Sequence, residues 1–335
     1  MNVNNDMASQ YDYSISMIRA MSMVAIITCH FMQYLDIELA WWFNVGVQVF
    51  LCISGYLYSD REISDPIEFY KKTIQKILVD YYVVIIVALG AYWVEAKNCI
   101  NIAKSIRVLL VCDTLDGGGH LWFIATILAC YLLTPLISSL YNRVAGKGVF
   151  RVFFQTCMMT LLCFILCRFY FYYFNPAMIS CYIIGYALKR IEIEQSPIKE
   201  NTFKIVFVII GCVMNGIQVI HSYIMPLSIV TIFSKYWNVY CDYAHLMLGI
   251  GVFVVLHSLL YNIRYSGHLI SVLKITDKYS YDIYLTNQFF ILGPFSLMKL
   301  TPWIFVNVVI IGSIVALCAV IINQVSRWLK VNVLK

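Results

Sequence analysis

The segment SISMIRAMSMVAIITCHFMQYL, residues Ser14–Leu35, is apolar except for small polar groups, one glutamine, one arginine and one histidine. A helix that crosses the hydrocarbon core of a bilayer needs about 20 mostly apolar residues, and this segment is long enough. Residues 1–13 contain no lysine or arginine, so the segment does not have the form of a cleaved secretory signal. We therefore predict that the chain enters the membrane with this helix.

The composition extends this prediction to the whole chain. Of 335 residues, 61% are hydrophobic and 13% are charged, whereas soluble domains have about 45–50% and about 25%. So few charges cannot cover a surface that faces water. The net charge is +6, but the basic residues are scattered between apolar runs, which argues against a nucleic-acid-binding protein. No CxxC motif occurs among the 12 cysteines, and we expect no metal site.

Nine further segments have the composition of a membrane span. The turn Asn175-Pro176 separates the fifth span from the sixth, which is short. We predict an all-α fold: a polytopic membrane bundle of about ten transmembrane helices. After Ser14–Leu35, the predicted spans are Trp41–Tyr58, Ile77–Val94, Leu121–Leu140, Val152–Phe171, Tyr172–Leu188, Ile205–Tyr223, Tyr243–Ile263, Tyr279–Leu297 and Pro302–Val325.

Ten spans also separate the basic residues by side. All lie on the side of the amino terminus except two within spans, Arg19 and Arg168, and five others. Those five are Lys97, Lys104, Arg107, Lys235 and Lys299. Cytoplasmic loops carry an excess of lysine and arginine, so both termini are predicted to be cytoplasmic. We expect an amino-terminal cytoplasmic segment at 1–13, a transmembrane domain at 14–326 and a cytoplasmic tail at 327–335.

Ionisable residues inside spans are costly and are therefore candidates for function. Arg19 and His30 are eleven residues apart in the first span, which places them on one helix face and about 16 Å apart along the axis. The alternatives are that Arg19 extends to the headgroups and that His30 makes a packing hydrogen bond. Arg168 is expected to pair with a buried acid, either Asp80 or Asp242.

Two glycine-containing motifs are further candidates. DGGGHLWF, residues 116–123, precedes the fourth span and lacks the Gly-Lys-Ser/Thr of a phosphate-binding loop. Its indole beside an imidazole is suited to contact a sugar, and Trp122 is equally natural as an interface anchor. FLCISGYL, residues 50–57, has a small Ser-Gly pair that permits close helix packing or a break that exposes backbone amides.

Together these motifs resemble acyltransferase family 3, the bacterial integral membrane O-acyltransferases. The family's Arg or Lys, ten residues and then His corresponds to Arg19 and His30. Its Phe-x-x-x-Ser-Gly segment corresponds to residues 50–57, its basic loop to FYKKTIQKI at 69–77, its Leu-Trp-Phe motif to HLWF at 120–123, and its Ser-Tyr-x-x-Tyr-Leu motif to SYDIYL at 280–285. The match runs in order from Tyr13 to Asn287. The chain is similar to the stand-alone form, without the extracytoplasmic hydrolase-like domain of some relatives.

The resemblance implies an enzyme of the bacterial cytoplasmic membrane. It would move an acyl group, most often acetyl, from acyl-coenzyme A to a hydroxyl of a cell-surface glycan or its lipid-linked precursor. His30 is implied as the general base or an acylated relay, and Arg19 as a second catalytic residue that binds the donor. The implied donor-binding residues are Arg19, Lys71, Lys72, Lys76, Ser54, Gly55 and Tyr56. The implied acceptor-binding residues are His120, Trp122, Arg168 and Asn287.

Two features depart from the family pattern. Asn287 stands where the family motif continues to a histidine, and lysines replace the usual arginines of the basic loop, with Val79-Asp80 in the region of the usual proline. The rival class is a transporter or flippase for a glycolipid or a small polar solute, although we recognise no internal repeat of the kind that transporters often contain. The expected partners are acyl-coenzyme A as co-substrate, the glycan acceptor and membrane lipid. We expect no permanently bound cofactor and no nucleic acid. Whether the protein forms a homo-oligomer is left open by the sequence.

Overall fold

The computed structural model describes residues 11–143, 148–194, 197–225 and 234–334, and in these residues the regular structure is helical throughout. This confirms the prediction of an all-α polytopic bundle. The helices are α1 Tyr13–Tyr34, α2 Ala40–Phe43, α3 Val45–Ser59, α4 Pro66–Glu95, α5 Ile102–Leu109, α6 Trp122–Arg143, α7 Val149–Phe169, α8 Pro176–Glu194, α9 Pro197–Val219, α10 Trp237–Leu260, α11 Gly267–Ile291 and α12 Ile304–Asn332.

Within the described residues, eight helical segments are long and apolar enough to cross a membrane. They are α1, α2 together with α3, α4, α6, α7, the end of α9 with its π-helical turn Ile220–Ile224, α10 and α12. The other two long helices differ for physical reasons. Helix α8 ends with four charged residues among 189–194, and α11 contains Asp277, Lys278 and Asp282. The number of crossings and the side of the termini stay predictions.

Several helices extend beyond the predicted spans. Helix α4 begins at Pro66 rather than Ile77, because the Asp65 carboxylate accepts the first free amides of the helix. Helix α11 begins at Gly267 rather than Tyr279, after a Ser266 cap. Charged residues in these first turns had indicated loops, but they belong to helices that continue past the apolar stretch. Helix α12 likewise runs to Asn332, through most of the predicted tail.

Helices α3 and α8 pack with their backbones almost in contact. A Cβ atom on Gly55 would lie 2.0 Å from the Tyr182 carbonyl oxygen, and one on Gly185 would lie 2.1 Å from the Cys52 carbonyl oxygen. Small residues permit this approach in membrane bundles. Gly55 therefore has a packing role, which was one of the two alternatives for the Ser-Gly pair.

The bundle has two ends that frame the site. The basic end contains the first turns of α1, α4 and α11 and the last turn of α12. The glycine-loop end contains residues 116–119 and Gly293. Gly117 and Gly293 have positive φ angles of 75° and 79°, and a Cβ atom on Gly117 would lie 2.7 Å from the Gly293 Cα atom. This contact docks the loop against the end of α11 and places His120 beside that helix.

Candidate active site

Two buried imidazoles from distant parts of the sequence meet near the glycine-loop end. His30 comes from α1 and His120 from the 3₁₀ turn Gly119–Leu121 that precedes α6. The two residues are 5% and 4% exposed, and their ring centroids lie 5.9 Å apart in an edge-on arrangement. The sequence had indicated both histidines, one as a base and one as an acceptor contact. The structure brings them together, and we call them the imidazole pair.

Gln288 of α11 bridges the imidazole pair. Its Oε1 accepts the backbone N–H of His120 at 2.7 Å and lies 2.7 Å from the Nδ1 atom of the same residue. Its Nε2 lies 3.2 Å from the Nδ1 atom of His30. Because a backbone N–H can only donate, this contact fixes which end of the amide is the oxygen. Gln288 therefore presents an acceptor to His120 and a donor to His30.

The nitrogens of His30 are unequally satisfied. Its Nδ1 atom also lies 3.0 Å from the Gln33 Oε1 atom, and one nitrogen cannot both accept from Gln288 and donate to Gln33. Its Nε2 atom is buried and has no hydrogen-bond partner within the described residues. When Nδ1–H donates to Gln33, the Nε2 lone pair is free. His30 thus offers one unpartnered nitrogen for proton transfer.

Sequence reasoning placed a polar contact at Asn287 and missed Gln288. Asn287 is 1% exposed, and its amide donates to the carbonyls of Ile283 and Tyr284 in its own helix, at 3.0 and 2.9 Å. The amide that contacts the imidazoles belongs to the next residue. A signal was present in the sequence, because Gln288 is a second amide immediately before an apolar run.

A polar cavity of about 360 Å³ lies between α1, α3, α4, α6, α11 and α12. Toward the imidazole pair its lining changes to Ile26, Phe123 and Tyr284. Ile26 is one helical turn before His30, and the Tyr284 ring lies 5.0 Å from that of His120. The cavity therefore reaches the wall of the imidazole pair. Its charged lining residues, four cations and three carboxylates, are Arg19, Lys76, Lys278, Lys330, Asp80, Asp277 and Asp282.

Arg19 faces this cavity and not lipid. Its Nη1 atom lies 2.5 Å from the Asp277 Oδ1 atom, and its side chain is 24% exposed. The other carboxylate oxygen of Asp277 accepts the Tyr11 hydroxyl at 2.7 Å and the Ser16 hydroxyl. Arg19 therefore lies in a polar interior, which favours the site role over extension to the headgroups, although His30 does not line the same cavity. Asp277 was not singled out from the sequence because it lies before the predicted ninth span.

The remaining carboxylates correct the expectation for Arg168. Asp80 lies 2.8 Å from the Lys330 Nζ atom, and the side chain of Asp282 accepts from Asn323 at 3.4 Å. Arg168 is exposed in the last turn of α7, and no carboxylate pairs with it in the described residues. The prediction of a buried partner was therefore wrong. In the last turn of a helix, the cationic side chain of Arg168 interacts favourably with the free backbone carbonyls.

The lysines and serine implied in donor binding separate into two groups. Ser54 and Lys76 line the polar cavity. Lys71 and Lys72 lie on the exposed side of α4, where the Lys72 Nζ atom is 2.6 Å from the Glu68 Oε1 atom. The structure thus brings part of the basic loop to the cavity and leaves part of it at the surface.

Three other implied contacts lie away from the cavity. Tyr56 is buried on the α8 side of α3, where its hydroxyl donates to Glu192 and lies 3.4 Å from the Lys189 Nζ atom. Gly55 faces α8, as described above. Trp122 is half-buried at the start of α6, with its ring 6.3 Å from that of Phe123. The binding roles of these three residues stay predictions.

Among the described residues, no group of three or more His, Cys, Asp or Glu side chains could hold a metal ion. Comparison with curated proteins and with solved structures finds no match. The family model described as an acyltransferase domain matches residues 12–323, which is most of the chain and includes both imidazoles and every lining residue of the cavity except Lys330. The chain therefore belongs to acyltransferase family 3, and it is a membrane acyltransferase.

Proposed function

We propose that this acyltransferase moves an acetyl group from acyl-coenzyme A to a hydroxyl of a cell-surface glycan or its lipid-linked precursor, in the bacterial cytoplasmic membrane. One observation carries the proposal: the buried imidazole pair is separated from the inner end of a charged cavity by a single layer of side chains, Ile26, Phe123 and Tyr284. Proton transfer from a hydroxyl needs a base. A donor that contains phosphates needs cations.

The cavity is suited to an elongated donor. Arg19 and Lys76 line it on the side of the basic end, and Ile26 lines it one turn before His30. Since Arg19 and His30 are about 16 Å apart along α1, they cannot contact the same thioester atom. The phosphates of the donor would lie near Arg19 and its acyl end near the imidazole pair. The Phe123 and Tyr284 rings, 5.3 Å apart, stand between the cavity and His120 and would have to admit the acyl end.

The reaction follows from the partners of His30. The acceptor O–H gives its proton to the Nε2 lone pair while Nδ1–H donates to Gln33. The acceptor oxygen then forms a bond to the thioester carbonyl carbon, and the carbon–sulfur bond breaks. The coenzyme A thiolate leaves and takes the proton back from Nε2. His30 as a transiently acylated relay satisfies the same balance, with Nε2 in place of the acceptor oxygen in the first step.

Gln288 and His120 have a positioning role in this scheme. The two contacts of Gln288 Oε1 hold the turn and the ring of His120, and Gln288 Nε2 packs 3.2 Å from the Nδ1 atom of His30 without a hydrogen bond in this tautomer. The Tyr284 hydroxyl donates to the His120 carbonyl and fixes the turn that carries the second ring. Because proton transfer depends on geometry within tenths of an ångström, such supports contribute to rate without contact with the acyl group.

The experiment that tests this function uses the full-length protein in liposomes, with acetyl-coenzyme A labelled in the acetyl group. We expect label to appear on a glycan or glycolipid from the same envelope, and release of the free thiol in equal amount. Movement of the glycan across the bilayer without acylation would contradict the proposal and favour the transporter alternative. Thiol release without labelled glycan would contradict the acceptor class.

A further inference from the structure

A second cavity, which the proposed function does not use, lies between α4, α11 and α12. It measures about 430 Å³, and no polar surface of the described residues faces it. Among its walls are Val87 on α4, Phe290 on α11 and Ile321 on α12. We call it the apolar groove. Its chemistry excludes a nucleotide, a sugar or an ion, because a polar group placed there would lose its hydrogen bonds to water without replacement.

The apolar groove opens sideways toward the bilayer. Three of its lining residues, Val87, Ile321 and Val325, are 71%, 50% and 40% exposed. All three lie on helices that qualify as membrane spans. From Val83 to Tyr92 the groove extends about 13 Å along α4. Its size, direction and opening fit a hydrocarbon chain that enters from the lipid phase.

The apolar groove and the polar cavity share the same three helices. On α4 the lining changes from Lys76 and Asp80 to Val83 and Val87, and on α12 from Lys330 to Val325. On α11 it changes from Asp282 to Thr286 and Phe289. The polar cavity therefore occupies the basic end of these helices, and the apolar groove continues beyond it toward the glycine-loop end.

The far end of the apolar groove contacts the imidazole pair through one aromatic ring. Phe289 lines the groove, and its ring centroid lies 5.9 Å from that of His120. Tyr92 and Phe295 close the same end with rings 4.9 Å apart, and the Tyr92 hydroxyl donates to the Asp116 carbonyl of the glycine loop. A chain in the groove would place its polar end at the loop that carries His120.

We propose that the apolar groove binds the hydrocarbon chain of a lipid-linked acceptor, so that its sugar hydroxyl lies at the imidazole pair. This rests on the proposed function and narrows it to the lipid-linked class of acceptor. The donor already has a polar entry from the basic end, and the acceptor must reach the same imidazoles by another route. The groove leads from the membrane to the Phe289 ring, which would have to move aside to admit the sugar to His120.

The test introduces large side chains into the groove from α4. Ala88→Trp and Ala91→Trp place an indole on its wall, since both alanines line it. Ile86→Trp is the matched control, because Ile86 is 61% exposed on the same helix and does not line the groove. Acetyl transfer is measured with two acceptors that carry the same sugar, a hexadecyl glycoside and a methyl glycoside. The proteins are full-length and reconstituted in liposomes.

We expect Ala91→Trp and Ala88→Trp to lower kcat/KM for the hexadecyl glycoside at least tenfold and to change it less than twofold for the methyl glycoside. Ile86→Trp should change neither more than twofold. Retained transfer to the methyl glycoside also shows that the variants fold. Equal loss with both acceptors, or no loss with either, overturns the proposal. A changed preference for acetyl against palmitoyl donors also overturns it, because the occupant is then the donor chain.

A binding measurement separates the groove from the enzymatic function. A hexadecyl glycoside with a diazirine in its chain is cross-linked to the wild-type protein, and the labelled peptides are identified by mass spectrometry. We expect label on the groove walls of α4, α11 and α12, reduced at least fivefold by Ala91→Trp and less than twofold by Ile86→Trp. Label spread evenly over the lipid-facing helices overturns the groove. Groove label without transfer to any acceptor supports chain binding and contradicts only the proposed reaction.

Discussion

The two polar regions inside the bundle differ in the groups that they contain. In the polar cavity, Arg19 is paired with Asp277 at 2.5 Å and Lys330 with Asp80 at 2.8 Å, and the Oδ1 atom of Asp282 is buried without a partner in the described residues. At the imidazole pair, the buried atom without a partner in the described residues is a nitrogen of His30. Paired charges hold a structure or a ligand in place, whereas an unpartnered imidazole nitrogen is what proton transfer requires. The difference indicates that donor binding and chemistry are separated along α1.

The largest effect is expected from His30→Ala. Loss of a general base lowers the rate by about 10²- to 10⁴-fold, and we expect kcat for acetyl transfer to fall within that range while KM for the donor changes little. His245→Ala is the matched control, since His245 is also fully buried, on α10, against the Trp41 ring. Steady-state kinetics of both variants make the comparison. Equal losses in the two variants would mean that burial, and not the position of His30, matters.

A smaller loss is expected from Gln288→Ala, because the imidazoles remain but their bridge is removed. We expect kcat to fall about 10- to 100-fold with little change in KM, the signature of an interaction made in the transition state. Asn287→Ala provides the comparison, since that amide bonds only to carbonyls of its own helix, and we expect a smaller effect. A larger loss at Asn287 than at Gln288 would reverse the assignment of the positioning residue.

Asn287 and Gln288 show which features of the site a sequence can predict and which it cannot. The spacing of Arg19 and His30 predicted a polar interior shared by the two, and the structure places Arg19 at the polar cavity and His30 in an adjoining buried cluster. The roles of Gln288 and Asp277 depend on how α11 is rotated and shifted against α1. No local pattern encodes that register, because helix packing is fixed by contacts between residues far apart in the chain. A single sequence therefore predicts which helices carry polar groups better than which groups meet.

The same limit applies to the glycine loop and to helix lengths. DGGGHLWF drew attention to His120, but only the Gly117–Gly293 contact places it at His30. The starts of α4 and α11 were missed because charged residues are compatible with both loops and helices that leave the membrane. The apolar groove is formed by three helices together. Its residues are apolar, like those of a lipid-facing surface, so the sequence alone does not distinguish the groove from such a surface.

Substitutions in the polar cavity should change the affinity for the donor. Arg19→Ala removes a charge-assisted contact worth about 1.5–3 kcal/mol, so we expect KM for acetyl-coenzyme A to rise about tenfold or more with a smaller change in kcat. Arg19→Lys tests whether charge alone suffices, and we expect only partial recovery because Lys lacks the planar fork of Arg. Inhibition constants for coenzyme A provide a second measure. A fall in kcat with unchanged KM would contradict the division of roles.

The smallest expected effect is a difference in donor KM between substitutions of two lysines of the basic loop. Both lysines are exposed, but Lys76 lines the cavity, whereas Lys72 lies outside it and pairs with Glu68. We expect Lys76→Ala to raise KM for the donor severalfold and Lys72→Ala to change it less than twofold, since exposed pairs contribute little. Kinetics at low and moderate salt distinguish a contact from general attraction. An equal effect of both substitutions would move donor binding to the protein surface.

The most direct test of the division of roles is the affinity of His30→Ala for a non-reactive thioether analogue of acetyl-coenzyme A, measured in liposomes by equilibrium binding. We expect the variant to bind the analogue within about twofold of wild type while its kcat for acetyl transfer falls about 10²- to 10⁴-fold. Loss of binding in this variant, or transfer that persists at the wild-type rate, would contradict the assignment of chemistry to the imidazole pair and donor binding to the polar cavity.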